Sequence, residues 1–362
     1  MHRIAEKGPM PFRDFMEMVL YHPEGGYYAS SSGQIGKNGD YYTSPYLTQL
    51  FGEMIARQLE EMWHLLGRGK FTILEYGAGP GLLCHDILQY CKNNSSFYEA
   101  LEYCIIEKSS AMREKERQIL PGKVRWVDAV SELEPITGCI LSNELIDNFA
   151  VHVVEMQQEL MELYIGYQDD FIENWRPASE SLRRYLDTLR VQLPVGYRTE
   201  INLQVIDWIK EISGALHQGF VLTIDYGGTS ADLYNPRRCR GSMQCFHKHA
   251  INSDIFSNIG EQDITAHVNF SALHFWGLQN GLSYGGYTTQ LNFLLSLGLS
   301  AHLKKQEEEG QHRSDHEKKM LLINTFLLDM GKKLKVLVLQ KGVQERLSGM
   351  RLAPHSFDNN VY

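Results

Sequence analysis

No stretch of this 362-residue chain approaches the ~20 consecutive apolar residues that a membrane-spanning helix needs, so no membrane insertion is expected. The opening segment, MHRIAEKGPMPFRDF, has no long apolar stretch and no evident cleavage site, which argues against a secretory signal. Cysteine is scarce. Six residues (Cys84, Cys91, Cys104, Cys139, Cys239, Cys245) cannot build a disulfide framework in a chain this long. The first four fall in segments that read as buried helix or strand, which fits a reducing, cytoplasmic setting. An excess of positive charge is missing too. With 35 basic and 44 acidic side chains the formal charge is −9, which works against a nucleic-acid partner and is compatible with a cationic one. There is no internal repeat.

What is present is an alternation of strand and helix patterns from about residue 70. FTILEYG (71–77) is a short apolar run ending in glycine, and an apolar-periodic helix follows over 81–92. EYCIIE (102–107), a charged helix over 110–120, KVRWVD (123–128) and GCILSNE (138–144) repeat the theme. Near-continuous apolar strands separated by helices predict a parallel sheet covered on both faces. VHVVEM (151–156) and ELMELYIGY (159–167) predict an antiparallel hairpin, followed by a helix over 179–190. The core pattern resumes with a helix over 199–217 and the strand GFVLTIDYGG (219–228). Residues 229–262 are turn-rich with few periodic signals. A helix over 290–297, a charged segment over 304–319 and a late, edge-like strand KLKVLVLQKG (333–342) complete the pattern. The first 60 residues, two helices (11–20 and 48–63) flanking an aromatic, glycine-rich stretch, read as a cap.

The strongest local signal is Glu75-Tyr76-Gly77-Ala78-Gly79-Pro80-Gly81. An apolar strand runs into three alternate glycines, which let the backbone turn sharply and approach a ligand where a Cβ would collide. Pro80 suits a first helical turn. A dinucleotide fingerprint, G-x-G-x-x-G, needs glycine at position 82, which is Leu82 here. The acid-x-G-x-G-x-G form resembles motif I of class I methyltransferases, which bind S-adenosylmethionine. On that reading Gly77, Ala78, Gly79 and Gly81 border the cofactor, and Glu75 anchors the loop or receives the cationic end of its methionine moiety. The alternative is a glycine-rich connector with no ligand. Glu107 ends the next strand, where a carboxylate suits two vicinal ribose hydroxyls because it accepts two hydrogen bonds. Asp128, ending the third strand, is an adenine-side candidate by the same logic.

Six segments together resemble one family, the MidA-type methyltransferases: GDYYTSPYLTQLFGE (39–53), LEYGAGPG (74–81), SNELIDNF (142–149), LTIDYGG (222–228), GEQDITAHVNF (260–270) and KVLVLQKG (335–342). They run in family order over nearly the whole chain. The resemblance implies a Rossmann-like, seven-stranded class I α/β methyltransferase core, a discontinuous second lobe and S-adenosyl-L-methionine as cofactor. It also implies dimethylation of an arginine on a protein, a respiratory complex I subunit in the family's described chemistry. Two departures stand on the substrate side: Tyr46 replaces the acid common after TSP, and Ala150 replaces the proline common after the NELIDNF segment. The expected organisation is an N-terminal cap (1–63), a first half of the core (64–150) and an inserted α+β lobe (151–198). The core then continues (199–228), followed by a substrate-side insertion (229–286), the C-terminal part of the core (287–345) and a tail (346–362).

Ligands of doubly wound sheets sit at the carboxyl ends of the strands. Asn143 and Glu144 end the fourth strand, Asp147 follows within a turn, Asp225 ends the fifth, and Glu261 and Asp263 lie on a later loop. An arginine acceptor explains such a gathering of acids, because a guanidinium stays protonated above pH ~12 and pairs with carboxylates. Glu144 is the expected principal substrate carboxylate with Asp147 and Asp225 in support, and Asn143 is grouped with the cofactor. The alternative is that Asn143 and Glu144 merely cap a following helix. Tyr27, Tyr28, Tyr41 and Tyr42 with Thr43, Ser44 and Pro45 form a lid over the site or simply pack the cap. Cys239, Cys245, His247 and His249 have metal-ligand chemistry but not zinc-knuckle spacing, so no metal is expected.

Overall fold

The computed structural model describes residues 2–29, 44–248, 250–308 and 330–357. Tyr41, Tyr42, Thr43, His249 and most of the charged 304–319 segment lie outside the described residues.

Among the described residues seven strands form the main path of the core sheet, β1 (Phe71–Tyr76), β2 (Leu101–Ile106), β3 (Val124–Trp126), β4 (Ile136–Asn143), β5 (Leu216–Gly228), β6 (Ser283–Thr289) and β7 (Leu334–Lys341), and the short strand Val268–Asn269 pairs with β5 off this path. Their order across the sheet is β3-β2-β1-β4-β5-β7-β6, and β7 runs antiparallel to both of its neighbours. The pairs from β3 through β5 are parallel. This is the seven-stranded, Rossmann-like α/β core that the sequence resemblance implies. Each strand feeds two apolar layers. Ile73 of β1 enters a cluster with the helices Gln49–Leu65 and Leu82–Cys91, while Leu74 enters a second cluster with Gln204–Ala215 and Phe270–Gln279. Both faces are covered, so the strands read as unbroken apolar runs instead of alternating ones. From β1 the chain moves outward through β2 and β3, and then returns to β4 on the other side of β1. The loops after β1 and β4 therefore diverge and leave a crevice between them.

Three expectations need correction. The late strand β7 is internal, not at an edge, because β6 lies outside it. The helix expected from residue 199 begins at Gln204; Arg198–Ile201 is a strand that joins the lobe. Residues 229–262 are not merely turns, since Gln244–His247 and Ala250–Asn252 pair with each other and with Asp263–Thr265. These strands are three or four residues long, too short for a period of two to register.

The expected hairpin forms between His152–Met156 and Leu160–Tyr167. It is extended by Phe171–Pro177 and Arg198–Ile201, and by Met10–Pro11 from the N-terminal cap. The helix Phe12–Tyr21 follows this last strand and buries Phe12, Phe15, Met16, Val19 and Leu20. The cap and the inserted lobe thus share one apolar cluster, which also takes Cys245 and Ile264 from the 229–286 segment. That packing carries Tyr21 and Tyr28 to the mouth of the crevice.

Candidate active site

The turn after β1 is built by backbone conformation. Gly77, Gly79 and Gly81 have φ of +66°, +56° and +79°, in the left-handed region where a Cβ is penalised. Gly77 donates its amide to Ile106 O at 2.9 Å, tying the turn to the end of β2. Gly81 is the N-cap of Leu82–Cys91, so Pro80 stands just before this helix and not in its first turn.

Two carboxyls flank the turn. Glu75 is 2% exposed and accepts the Tyr103 hydroxyl at 2.7 Å. Burial raises its pKa to about 7 against the pull of that hydrogen bond. Glu107 accepts Ser109 N at 2.8 Å on one oxygen and Gly79 N at 3.4 Å on the other. Burial raises its pKa as well, opposed by these amides. The loop after β4 supplies the opposite wall. Asn143 Nδ2 donates to Glu144 Oε1 at 3.2 Å, and Asn143 Oδ1, itself buried, has no partner among the described residues. Glu144 has a φ of +50°, rare for a residue with a side chain, and its amide is held by Ile224 O at 2.8 Å. Its Oε1 also accepts Ser44 N at 3.1 Å. Burial raises the Glu144 pKa to about 8, with the Asp225 charge adding to the effect and the Ser44 amide opposing it.

Glu75, Gly77, Ala78, Gly79, Glu107, Asn143 and Glu144 line one cleft together with Tyr21, Tyr28, Pro45 and Asn148. Its empty space, counting the open mouth, is about 740 Å³. A second cleft of about 1090 Å³ adjoins it at Gly77 and Glu107, and includes Asp128, Gln204 and Trp208.

The structure does not bring every expected residue to the cleft. Asp225 is fully buried behind the loop, where one oxygen accepts Leu145 N at 3.1 Å and Ile146 N at 2.8 Å and the other accepts Tyr226 N at 2.8 Å. It holds the Glu144 loop in place and does not face the cleft. Asp147 is 5% exposed and packs among Asp225, Asp263 and Glu144. Burial and these three acids raise its pKa well above the ordinary carboxylate value. Gly81 supports the turn from behind, against Leu120 and Glu116. The Asp128 carboxylate points outward, 80% exposed, and pairs with Arg113 at 2.6 Å.

Other contributors carry weaker sequence signals. Tyr28 donates its hydroxyl to Asp263 at 3.1 Å and accepts Asn148 Nδ2, joining the cap, the loop after β4 and the GEQDITAHVNF segment. Tyr21 stacks on Tyr28 with centroids 5.4 Å apart, and the Lys108 ammonium lies 4.0 Å from the Tyr21 ring centre. The aromatic density of the cap marked this region, but nothing in the sequence pairs residue 28 with residue 263. Cys245 is buried, Cys239 is exposed and His247 Nδ1 contacts Glu261 O at 2.9 Å. Among the described residues no group of three His, Cys, Asp or Glu side chains is arranged to hold a metal ion.

A family of S-adenosyl-L-methionine-dependent methyltransferases matches residues 54–288, well over half of the chain. The chain belongs to this methyltransferase family. A solved structure from Burkholderia thailandensis, bound to S-adenosyl-homocysteine, superposes with a TM-score of 0.86 at 29% identity, over 98% of this chain and 94% of that one. Curated relatives include the human mitochondrial protein arginine methyltransferase NDUFAF7, 25% identical over 84% of this chain and 73% of its own length. Its Caenorhabditis elegans homologue is 23% identical over 98% of this chain and 88% of its own. S-adenosylmethionine is the cofactor of this methyltransferase, and the two clefts suit its chemistry. The unpartnered Asn143 Oδ1 and the buried Glu75 are acceptors for an ammonium, and Glu107 is an acceptor for a diol. Tyr76, Gln204 and Trp208 line the second cleft, each with a buried polar atom that has no partner among the described residues. Such orphaned groups are uncommon unless a ligand satisfies them. Among the described residues no helix is long and apolar enough to cross a membrane.

Proposed function

We propose that this methyltransferase modifies arginine side chains of a protein. The observation that carries the reading is Glu144, whose carboxyl stands on the cleft wall with Oε1 bound to the Ser44 amide and the Asn143 side chain. Among the described residues that leaves Oε2 for an acceptor N–H. When bound, the cofactor supplies an electrophilic methyl group on a sulfonium, which carries its own leaving group.

The residues divide the remaining work. Glu107 holds the ribose hydroxyls, and the Gly77–Gly79 backbone with Asn143 and Glu75 holds the methionine end. Asp128 borders the base through its place beside the second cleft. Glu144 pairs with the incoming guanidinium. An opposite charge at that distance stabilises the carboxylate and offsets the burial that otherwise keeps it protonated. Glu144 then orients one nitrogen and accepts the proton that methylation releases. Asp225 acts at one remove by gripping the loop that carries Glu144, and Asp147 packs behind it. Fixing the reacting groups in line contributes on the order of 7–11 kcal/mol to lowering the barrier. Tyr21 and Tyr28 cover the cleft and limit water at the reacting centre.

The names of the curated relatives support an arginine acceptor, as does a net charge of −9. The test is to incubate the protein with methyl-labelled S-adenosylmethionine and a cell lysate, hydrolyse the labelled protein bands and separate methylated amino acids. Label in methylarginine supports the reading. Label confined to methyllysine, small molecules or RNA overturns it.

A further inference from the structure

Ser44 and Gln290 lie on opposite sides of the family match at 54–288, and Gln290 connects to Glu144 through Ser44. Each is 0% exposed. The Ser44 hydroxyl meets both ends of the Gln290 amide, with Nε2 donating to it at 3.2 Å and Oε1 lying 3.4 Å away. The amide of the same serine donates to Glu144 Oε1. Gln290 is itself fixed, because it opens the helix Gln290–Ser296, which is capped by Thr289 and anchored in the core by Phe293 and Leu294. A short chain of contacts thus runs from the C-terminal part of the core, through the cap, to the carboxyl on the cleft wall.

We propose that Gln290 is a positioning residue: through Ser44 it decides which oxygen of Glu144 is presented to the methyl acceptor. The inference rests on the reading of Glu144 as the acceptor-facing acid. A carboxyl can rotate, and with neither oxygen engaged it offers both edges to the cleft. Here Oε1 is committed to two donors from different segments, so Oε2 is the oxygen left over. Bare backbone at residue 44 cannot enforce this, since the four-residue turn Ser44–Leu47 has little structure of its own to hold it. The buried Gln290 amide supplies the hold. It also meets a requirement of its own, because a primary amide away from water must find partners.

The groups facing Glu144 are the Ser44 amide from the cap, the Asn143 amide, Asp225 at the end of β5 and Asp147 on its own loop. Asp225 raises its proton affinity and the two amides lower it. Loosening Ser44 removes one of the lowering contacts, so the carboxylate forms only at higher pH.

The experiment is a pH–rate profile, from pH 6 to 9.5, for methylation of a fixed lysate fraction with labelled S-adenosylmethionine. Wild type, Gln290→Leu, Ser44→Ala, the double variant and Glu144→Gln are compared, and S-adenosylhomocysteine binding is measured for each by calorimetry. Gln290→Leu is expected to move the acidic limb upward by half a pH unit or more and to lower the plateau rate several-fold. S-adenosylhomocysteine affinity stays within twofold. Ser44→Ala, which cuts the same contact, gives a comparable shift in the same direction, and the double variant is no worse than either single one. Because Ser44→Ala removes only a hydroxyl, it keeps the test open if Gln290→Leu does not fold. An unshifted limb, or losses in cofactor affinity that parallel the losses in rate, overturns the positioning role. A fully active Glu144→Gln instead overturns the reading of Glu144 on which the role depends.

Discussion

Raising the pH of the cofactor-free protein should cost the wild type more stability than Glu144→Gln. The folded-state pKa of Glu144 is raised to about 8 by burial, whereas an unfolded glutamate titrates near ~4.3. Below pH ~4 the side chain is neutral in both states and contributes no pH dependence. Between that point and pH 8 the unfolded chain has released a proton that the folded chain keeps, so stability falls as pH rises. The slope for one proton is about 1.4 kcal/mol per pH unit. Above pH 8 both states are ionised and the slope vanishes. Glutamine has the shape of the neutral acid and keeps an oxygen for Ser44 and Asn143, so it removes this dependence while disturbing little else. From pH 5.5 to 7.5 the wild type should lose about 2.7 kcal/mol relative to the variant, as an upper bound. At roughly 1.3 °C per kcal/mol for a chain of this size, from about 2.1 cal/mol/K of unfolding entropy per residue, the gap in Tm should shift by roughly 3–4 °C in favour of the variant. Scanning calorimetry of both proteins without cofactor measures it. A gap constant to within a degree, or one that moves toward the wild type, refutes the assignment of a neutral Glu144 carboxyl.

Four further outcomes follow from the same geometry. Glu144→Gln should lower methyl transfer by a factor of 10² or more, the scale of a lost acid–base group, and leave S-adenosylhomocysteine affinity unchanged in calorimetry. Glu107→Ala should weaken S-adenosylhomocysteine binding by about 10²-fold, as two charge-assisted hydrogen bonds at about 1.5 kcal/mol each are lost, and the titration isotherm reads this directly. Gly77→Val places a Cβ 2.6 Å from Leu145 Cδ1 at a φ of +66°, so calorimetry should find no cofactor binding. Asp225→Ala strands the amides of Leu145, Ile146 and Tyr226, and urea unfolding should show a loss of about 3 kcal/mol or more.

The parallel half of the core was legible because β1, β2, β4 and β5 are apolar on both faces and run into glycine or an acid. The place of β7 was not. A buried internal strand and an apolar edge strand look alike in one sequence, and only the partner at Ser283–Thr289 distinguishes them. That partner, SYGGYTT, is rich in glycine and tyrosine and has no long apolar run. At the site, the residues close to the glycine turn were readable from spacing: Glu75 precedes the turn, and Glu107 and Glu144 each follow directly on a strand. Asp225 looked the same, since it too lies near the end of its strand, yet its oxygens turn inward to the 145–146 amides. Whether a strand-end acid faces the ligand or the adjacent loop depends on which loop passes over it, and that is a tertiary fact. The bonds from Tyr28 to Asp263 and from Ser44 to Gln290 span more than 200 residues, beyond any local pattern.

A crystal structure of the protein with S-adenosylhomocysteine is the most direct measurement. The nucleoside should lie with its ribose on Glu107 and its amino-acid end along Gly77–Gly79, with Glu144 on the wall that faces the sulfur. A ligand whose sulfur faces away from Glu144, or a ribose held elsewhere than Glu107, contradicts the account.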